Sequence, residues 1–121
     1  MILEINTSKY NEIELSLIDG KKIINERQIV ERAQSEKLLP MIDSLLKKSD
    51  FKLSDVSKIC VVNKGASFTS LRIGVVTANT LAYALKIPII SKNGVVLSAG
   101  NIEMVEADYD RDPNITVPKK K

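Results

Sequence analysis

The sequence predicts an α/β domain built on a mixed five-stranded sheet, with its elements in the order βββαβαβ. The first third of the chain alternates apolar and polar residues around a hairpin signal, and two later segments carry apolar residues at helical spacing. A short apolar run follows each of those segments. An antiparallel meander followed by alternating helices and strands gives a mixed sheet with its crossover helices packed against it. The chain has 121 residues, the size of one domain.

The opening third predicts a three-stranded antiparallel meander. Residues 2–5 form a short strand that ends at a turn-forming Asn-Thr-Ser cluster. Residues 13–17 place apolar side chains at every second position, which is typical of a half-buried strand. The Asp19-Gly20 pair is a strong hairpin signal, and residues 23–29 follow as the partner strand.

The first helical segment begins at Ser35, which suits an N-cap, and ends at Lys48. Its apolar positions cover an arc of roughly 160°, whereas a surface helix needs roughly 100°. Residues 59–62 then form a continuously apolar run bounded by turn residues, which suits a central strand. Cys60 lies within that run, so we expect an inert, buried thiol.

The second helical segment begins with Ser67 or Thr69 as its N-cap and ends near Lys86, before a short strand at residues 89–90. This helix has two apolar sides. One, centred on Leu71, faces the predicted sheet, and the other needs a second neighbour, either the first helix or another chain. The wide apolar arc of the first helix favours another chain, because two such helices would expose a large apolar patch. The predicted partner interface comprises Leu38, Met41, Ile42, Leu45, Ile73, Val76, Thr80, Tyr83 and Ala84.

The composition excludes several kinds of chemistry. The chain contains no His and one Cys, so Ser-His-Asp and Cys-His catalysis, His-ligated metals and Cys-rich zinc sites are absent. A weak anion-binding loop, Lys64, Gly65 and Ser67, precedes the second helix, although a capped turn is the favoured interpretation. The polar cluster at Asn6 is better explained by an Asx turn. We therefore predict no catalytic residues, no cofactor and no metal.

The distribution of charge and hydropathy favours a cytoplasmic chain that does not enter a membrane. No basic leader with a cleavage site is visible, and the most apolar stretch, residues 71–90, is interrupted by Arg, Asn, Lys and Pro. The net charge of +3 is too small and mixed to argue nucleic-acid binding alone. Three Lys residues at positions 119–121 favour a solvated tail, with loose phosphate attraction as the alternative.

Three motifs resemble a known family. The order of the elements is that of the ribonuclease-H-like half of the actin-like ATPase fold. Residues 67–74, S-F-T-S-L-R-I-G, resemble the core of the G-P-G-S-F-T-G-L-R-I-G signature of the TsaB family. Residues 2–8 are similar to the family's opening I-L-A-I-D-T-S, and residues 34–42 to its H-S-E-x-L-L-P-x-I helix start, with Gln34 in place of the His. The chain departs from the family where Asn6 replaces Asp, where Lys-Gly-Ala replaces Gly-Pro-Gly, and in being about half the usual length.

The resemblance implies a function in making threonylcarbamoyladenosine in tRNA. In the family, TsaB is a non-catalytic subunit that pairs through the two helices of its first domain with the transferase TsaD, or with itself when TsaD is missing. TsaE is the associated ATPase. We expect a minimal TsaB-like scaffold subunit, in which residues 1–101 form the ribonuclease-H-like domain and residues 102–121 a partly docked tail. Contact with tRNA would be indirect or through the Lys tail.

Two other functions stay open at this stage. One is a nucleotide-binding protein that completes its site by dimerising. The other is an unrelated homodimeric interaction module. Binding of ATP and Mg²⁺ by the isolated chain would favour the first, and failure to associate with TsaD would favour the second.

Overall fold

A computed structural model describes residues 1–30, 33–65, 68–92, 97–99, 102–104 and 108–109. The main sheet has five strands in the order β3-β2-β1-β4-β6. The strands in chain order are β1 (Ile2–Asn6), β2 (Glu12–Asp19), β3 (Lys22–Ile29), β4 (Lys58–Val61), β5 (Lys64–Gly65), β6 (Ile89–Ser91), β7 (Leu97–Ala99), β8 (Ile102–Met104) and β9 (Asp108–Tyr109). The helices are α1 (Gln34–Lys48) and α2 (Phe68–Leu85), with a 3-10 turn at Leu53–Asp55.

The topology confirms the predicted mixed sheet. β1 pairs antiparallel with β2, and β2 with β3, whereas β1, β4 and β6 run parallel to one another. The hairpin lies where the sequence places it, with Asp19 opposite Lys22. Gly20 has a φ of 63°, and the residue after it does not share this conformation, so the turn is of type II′. Glycine suits that first central position because it carries no Cβ.

One face of the sheet carries the core. Alternation along each strand sends every second side chain to this face, and both long helices pack over it. The largest fully buried side chains are Leu3, Ile5, Ile13, Leu15, Leu17, Leu38, Leu45, Ile59, Leu71, Ile89 and Val61. We call this the core face, and the opposite one the outer face.

The start of α1 differs from the prediction. The helix begins at Gln34, so Ser35 lies inside it, and the residue in the cap position, Ala33, makes no side-chain cap hydrogen bond. Gln34 is buried, and its Nε2 donates to the carbonyl oxygens of Lys9 and Glu12 at 2.5 and 2.8 Å. These bonds attach the start of the helix to the β1–β2 connection and to β2.

Three further predictions concern the cap of α2, the burial of Cys60 and the division of the chain at residue 101. Thr69 lies inside α2 and is therefore not its cap, and Ser67 lies outside the described residues. Cys60 is buried as expected, but on the outer face, opposite Glu4 of β1. The division at residue 101 stays a prediction. It falls between β7 and β8, which pair antiparallel, and β9 pairs in parallel with β5.

Candidate partner-docking site on the second helix

A buried hydroxyl attaches α2 to the end of β1. Thr7 is fully buried; its Oγ1 donates to the Ser70 carbonyl oxygen at 2.6 Å and accepts from the Gly74 N–H at 3.1 Å. A Cβ at position 74 would lie 2.4 Å from that oxygen, so glycine is required for this approach. This attachment sets which side of α2 faces the sheet.

The buried side of α2 is the one that the sequence predicts. Leu71 and Ala78 are fully buried, and Val75 and Ala82 are nearly so. Gly74 lies on the same side against Thr7. This side of the helix is therefore committed to the chain's own core.

The other side of α2 is an exposed, mainly apolar surface. Val76 is 54% and Tyr83 69% exposed, and Thr80 and Ala84 are also exposed. The Thr80 hydroxyl donates to the Val76 carbonyl oxygen at 2.8 Å, so its hydrogen-bond donor is used within the helix. Ile73 is half-buried and packs against the core at the margin of this surface. We call these five residues the α2 face.

The prediction that α1 contributes to the partner interface is wrong for all four residues that it named. Leu38, Met41, Ile42 and Leu45 are all at most 5% exposed and belong to the chain's own core. The wide apolar arc of α1 arises because this helix contacts both the sheet and α2. An exposed apolar residue of α1 that the sequence analysis missed is Leu39, at 54%. On a helical wheel Leu39 lies about 20° from Leu46, which is buried, so apolar periodicity could not have identified Leu39 as exposed.

A groove extends from the α2 face towards the start of α1. Its volume is about 420 Å³, within the size range of small-molecule and side-chain pockets. Because Leu39 follows Ser35 by four residues, it lies on the same side of α1 as this groove. The groove is lined by Ser35, Thr69, Arg72, Ile73, Val76 and Thr77.

The predicted anion loop receives little support from its surroundings. Lys64 and Gly65 form β5 and pair with Asp108 and Tyr109, so part of the loop's backbone is engaged in a strand pair. Ser67 lies outside the described residues. Anion binding at Lys64, Gly65 and Ser67 therefore stays an untested expectation.

The end of β1 forms the expected Asx turn. Asn6 Oδ1 accepts from the Ser8 N–H at 2.9 Å and from Ser8 Oγ at 2.7 Å. This amide oxygen is satisfied locally and carries no charge for a divalent cation. Within the described ranges, no group of three or more His, Cys, Asp or Glu side chains could hold a metal ion.

Two side chains near the outer face of the sheet, Cys60 and Lys92, have pKa values shifted from their ordinary ones. Burial raises the pKa of the Cys60 thiol, and the neighbouring Glu4 carboxylate raises it further. Lys92 Nζ donates to Glu4 Oε2 at 3.0 Å, and this hydrogen bond raises the pKa of the ammonium group. A protonated thiol is a poor nucleophile, which agrees with an inert Cys60. Neither α1 nor α2, the two α-helices among the described residues, combines the length and the hydropathy that a membrane span requires.

A family model and a solved structure indicate the class of protein to which the chain belongs. A family model described as TsaD, tRNA N6-adenosine threonylcarbamoyltransferase, matches residues 21–117. The structure of YeaZ from Pseudomonas aeruginosa superimposes with a TM-score of 0.70 at 27% identity, covering 74% of this chain and 42% of that one. This likeness confirms the ribonuclease-H-like, actin-related fold.

Two curated relatives indicate more closely which proteins the chain is related to. The chain is 36% identical over 101 residues to the tRNA threonylcarbamoyladenosine biosynthesis protein TsaB of Bacillus subtilis, covering 83% of this chain and 44% of that protein. It is 30% identical over 105 residues to the TsaB of Escherichia coli, covering 72% and 46%. The chain therefore belongs to the family that the TsaD family model describes, and its curated relatives identify it as one of the TsaB proteins. It spans less than half the length of these relatives.

Proposed function

We propose that this chain is a non-catalytic scaffold subunit in the formation of threonylcarbamoyladenosine in tRNA. In this proposal it binds a TsaD-like transferase through the α2 face and supports that enzyme without taking part in the chemistry. The names of the curated relatives indicate the pathway. The observation that carries the proposal is the exposed apolar side of α2, because a soluble domain rarely leaves such a surface uncovered.

The geometry of α2 supports a protein partner over a small ligand. The α2 face runs along the helix from Ile73 to Ala84, about 16 Å at 1.5 Å per residue, and is convex. A convex apolar surface suits a helix of another protein, whereas small ligands bind in concave sites. The groove beside Val76 would receive one projecting side chain of that partner. Small residues at Thr80 and Ala84 permit close helix approach.

The end of β1 supports a non-catalytic role. Asn6 stands where the resembling family has Asp, and its side chain is engaged in an Asx turn. A TsaE-like ATPase and tRNA would then meet the assembly mainly through the transferase. In the absence of a TsaD-like partner, the α2 face would bind a second copy of this chain. We place the assembly in the cytoplasm.

Co-purification with the TsaD-like protein of the same genome tests the proposal. We expect a stable complex with the full chain. The variants Val76→Glu and Ala84→Arg should weaken it about 100-fold, because each buries an unpaired charge at a cost of several kcal/mol. Both side chains are exposed, so the variants should unfold at the wild-type temperature. Ile23→Glu is the matched control for Val76→Glu, since it places the same charge at a similarly exposed apolar site away from α2.

Three results would contradict the proposal. Absence of any complex would favour an unrelated homodimeric module. Loss of thermal stability in the α2 variants would mean that these side chains pack inside the chain. Micromolar binding of ATP with Mg²⁺ by the isolated chain, measured by calorimetry, would favour the nucleotide-binding alternative.

A further inference from the structure

The edge strand β3 is as long as its neighbour β2 and carries exposed isoleucines. It spans eight residues and lies at the end of the sheet, where its one neighbour among the described strands is β2. Ile23 and Ile29 are 65% and 59% exposed. The register places both on the outer face, opposite Ile18 and Glu12 of β2. A long edge with exposed apolar side chains is a template for pairing with another strand.

The hairpin determines which backbone groups of β3 face the open edge. Asp19 and Lys22 close a two-residue turn and therefore form a hydrogen-bonded pair. At the other end, the Val30 N–H donates to the Asn11 carbonyl oxygen at 2.9 Å. Both observations indicate that the backbone N–H and C=O groups of the even-numbered residues of β3 point towards β2. The N–H and C=O groups that point to the open edge therefore belong to Ile23, Asn25, Arg27 and Ile29.

We propose that β3 pairs antiparallel with β3 of a second copy of this chain, about a two-fold axis at Glu26. In this register Ile23 lies opposite the partner's Ile29, and Asn25 lies opposite the partner's Arg27. All four residues with outward backbone groups then form hydrogen-bonded pairs, and the two sheets become one sheet of ten strands. An axis at Asn25 or at Arg27 would keep the faces aligned but would leave the isoleucines unmatched. This self-complementarity is why the occupant is a second copy.

The charges on the core face allow this pairing. Glu26 would meet the partner's Glu26 at the axis, and like charges directly opposite each other repel. Each carboxylate already has a cation, because Lys48 Nζ lies 2.6 Å from Glu26 Oε1. The cluster at the axis therefore holds two carboxylates and two ammonium groups.

The helices leave room for this pairing. α1 packs against β2, so three strand spacings would separate the two copies of α1. At about 4.8 Å per spacing this is about 14 Å, more than the 8–10 Å of packed helices. Two eight-residue edges form a small interface, so we expect a weak, concentration-dependent dimer.

Residue-resolved amide hydrogen exchange of the full chain tests the proposal. Measurements at about 20 µM and about 1 mM would use a Val76→Glu background, so that association through the α2 face does not contribute. At the higher concentration, the amides of Ile23, Asn25, Arg27 and Ile29 should exchange about tenfold more slowly. The amides of Ile24 and Glu26 face β2 and should not change. This odd-even alternation is specific to strand pairing at the edge.

Variants on β3 complete the test. Ile23→Lys combined with Ile29→Lys should remove the concentration dependence. The control is Leu39→Lys, which introduces a lysine at an exposed apolar residue of α1 and should preserve the concentration dependence. Exchange that does not depend on concentration would overturn the proposal. Slower exchange at high concentration that persists in the double variant would also overturn it. The same holds if exchange slows only when a different protein is added. None of these results depends on binding to a TsaD-like partner.

Discussion

Replacing Gly74 with alanine tests whether the contact between β1 and α2 is as close as the structure indicates. The new Cβ would lie 2.4 Å from Thr7 Oγ1, well inside van der Waals contact. Thr7 cannot move without losing its bonds to the Ser70 carbonyl and the Gly74 N–H. Losing both bonds costs about 1 kcal/mol in all, because the freed Ser70 carbonyl and Gly74 N–H can pair within the helix, and the strain adds about 1–3 kcal/mol. Alanine regains about 1 kcal/mol of helix propensity, so we expect a net loss of about 1–3 kcal/mol.

A double-mutant cycle with Thr7→Ala isolates this contact. Thr7→Ala alone should cost about 1 kcal/mol, because the Ser70 carbonyl and the Gly74 N–H are four residues apart and can pair within the helix. In the double variant the nearest remaining neighbour is the Cβ of residue 7, at an ordinary 3.4 Å. The double variant should therefore be more stable than Gly74→Ala alone, with a coupling of at least about 1 kcal/mol.

Urea denaturation followed by circular dichroism measures the free energy of unfolding of all four proteins. The midpoints should differ while the slopes agree. A Gly74→Ala variant as stable as the wild type, or a cycle in which the two effects simply add, would refute the close approach.

Two further predictions concern side chains whose environments the sequence left open. Leu45→Ala should lower the free energy of unfolding by about 2–5 kcal/mol, as for a fully buried leucine, whereas Leu39→Ala should change it by less than about 1 kcal/mol; equal effects would contradict the assignment of the α1 faces. Cys60 should react with iodoacetamide at pH 8 at least about tenfold more slowly in the native chain than in urea, because its raised pKa and burial reduce the accessible thiolate; equal rates would mean that the thiol is open to solvent.

The sequence predicts the main sheet and both helices because each has a clear local signal. A period of two marks β2, a glycine turn marks the hairpin, and continuous apolar runs mark β4 and β6. The start of α1 could not be predicted in this way. Gln34 anchors that helix through bonds to carbonyl groups 22 and 25 residues earlier, and no local pattern encodes them. The two- and three-residue strands after Val61 other than β6 are likewise too short to show a period.

The sequence predicts which side of α2 is exposed but not which residues of α1 are, because apolar periodicity does not distinguish a core neighbour from a partner. On α2 the two sides of the helix are separate, so the exposed side could be identified from the wheel. On α1 one continuous arc contacts the sheet and α2 together, and its width resembled that of a helix with an external partner. Only the burial of Leu38 and Met41 separates these interpretations.

The central position of β1 has a consequence for how the chain folds. Five residues separate β1 from its antiparallel partner β2, whereas pairing with its parallel partner β4 brings together residues about 56 positions apart, as in the hydrogen bond from Ser57 to Met1. The entropy of closing the longer loop exceeds that of the shorter one by about 2 kcal/mol. The meander of β1, β2 and β3 can therefore assemble early and reversibly while the chain is still being synthesised. Docking of β4 against this preformed edge is the step that should limit the folding rate, since contacts distant in sequence form slowly.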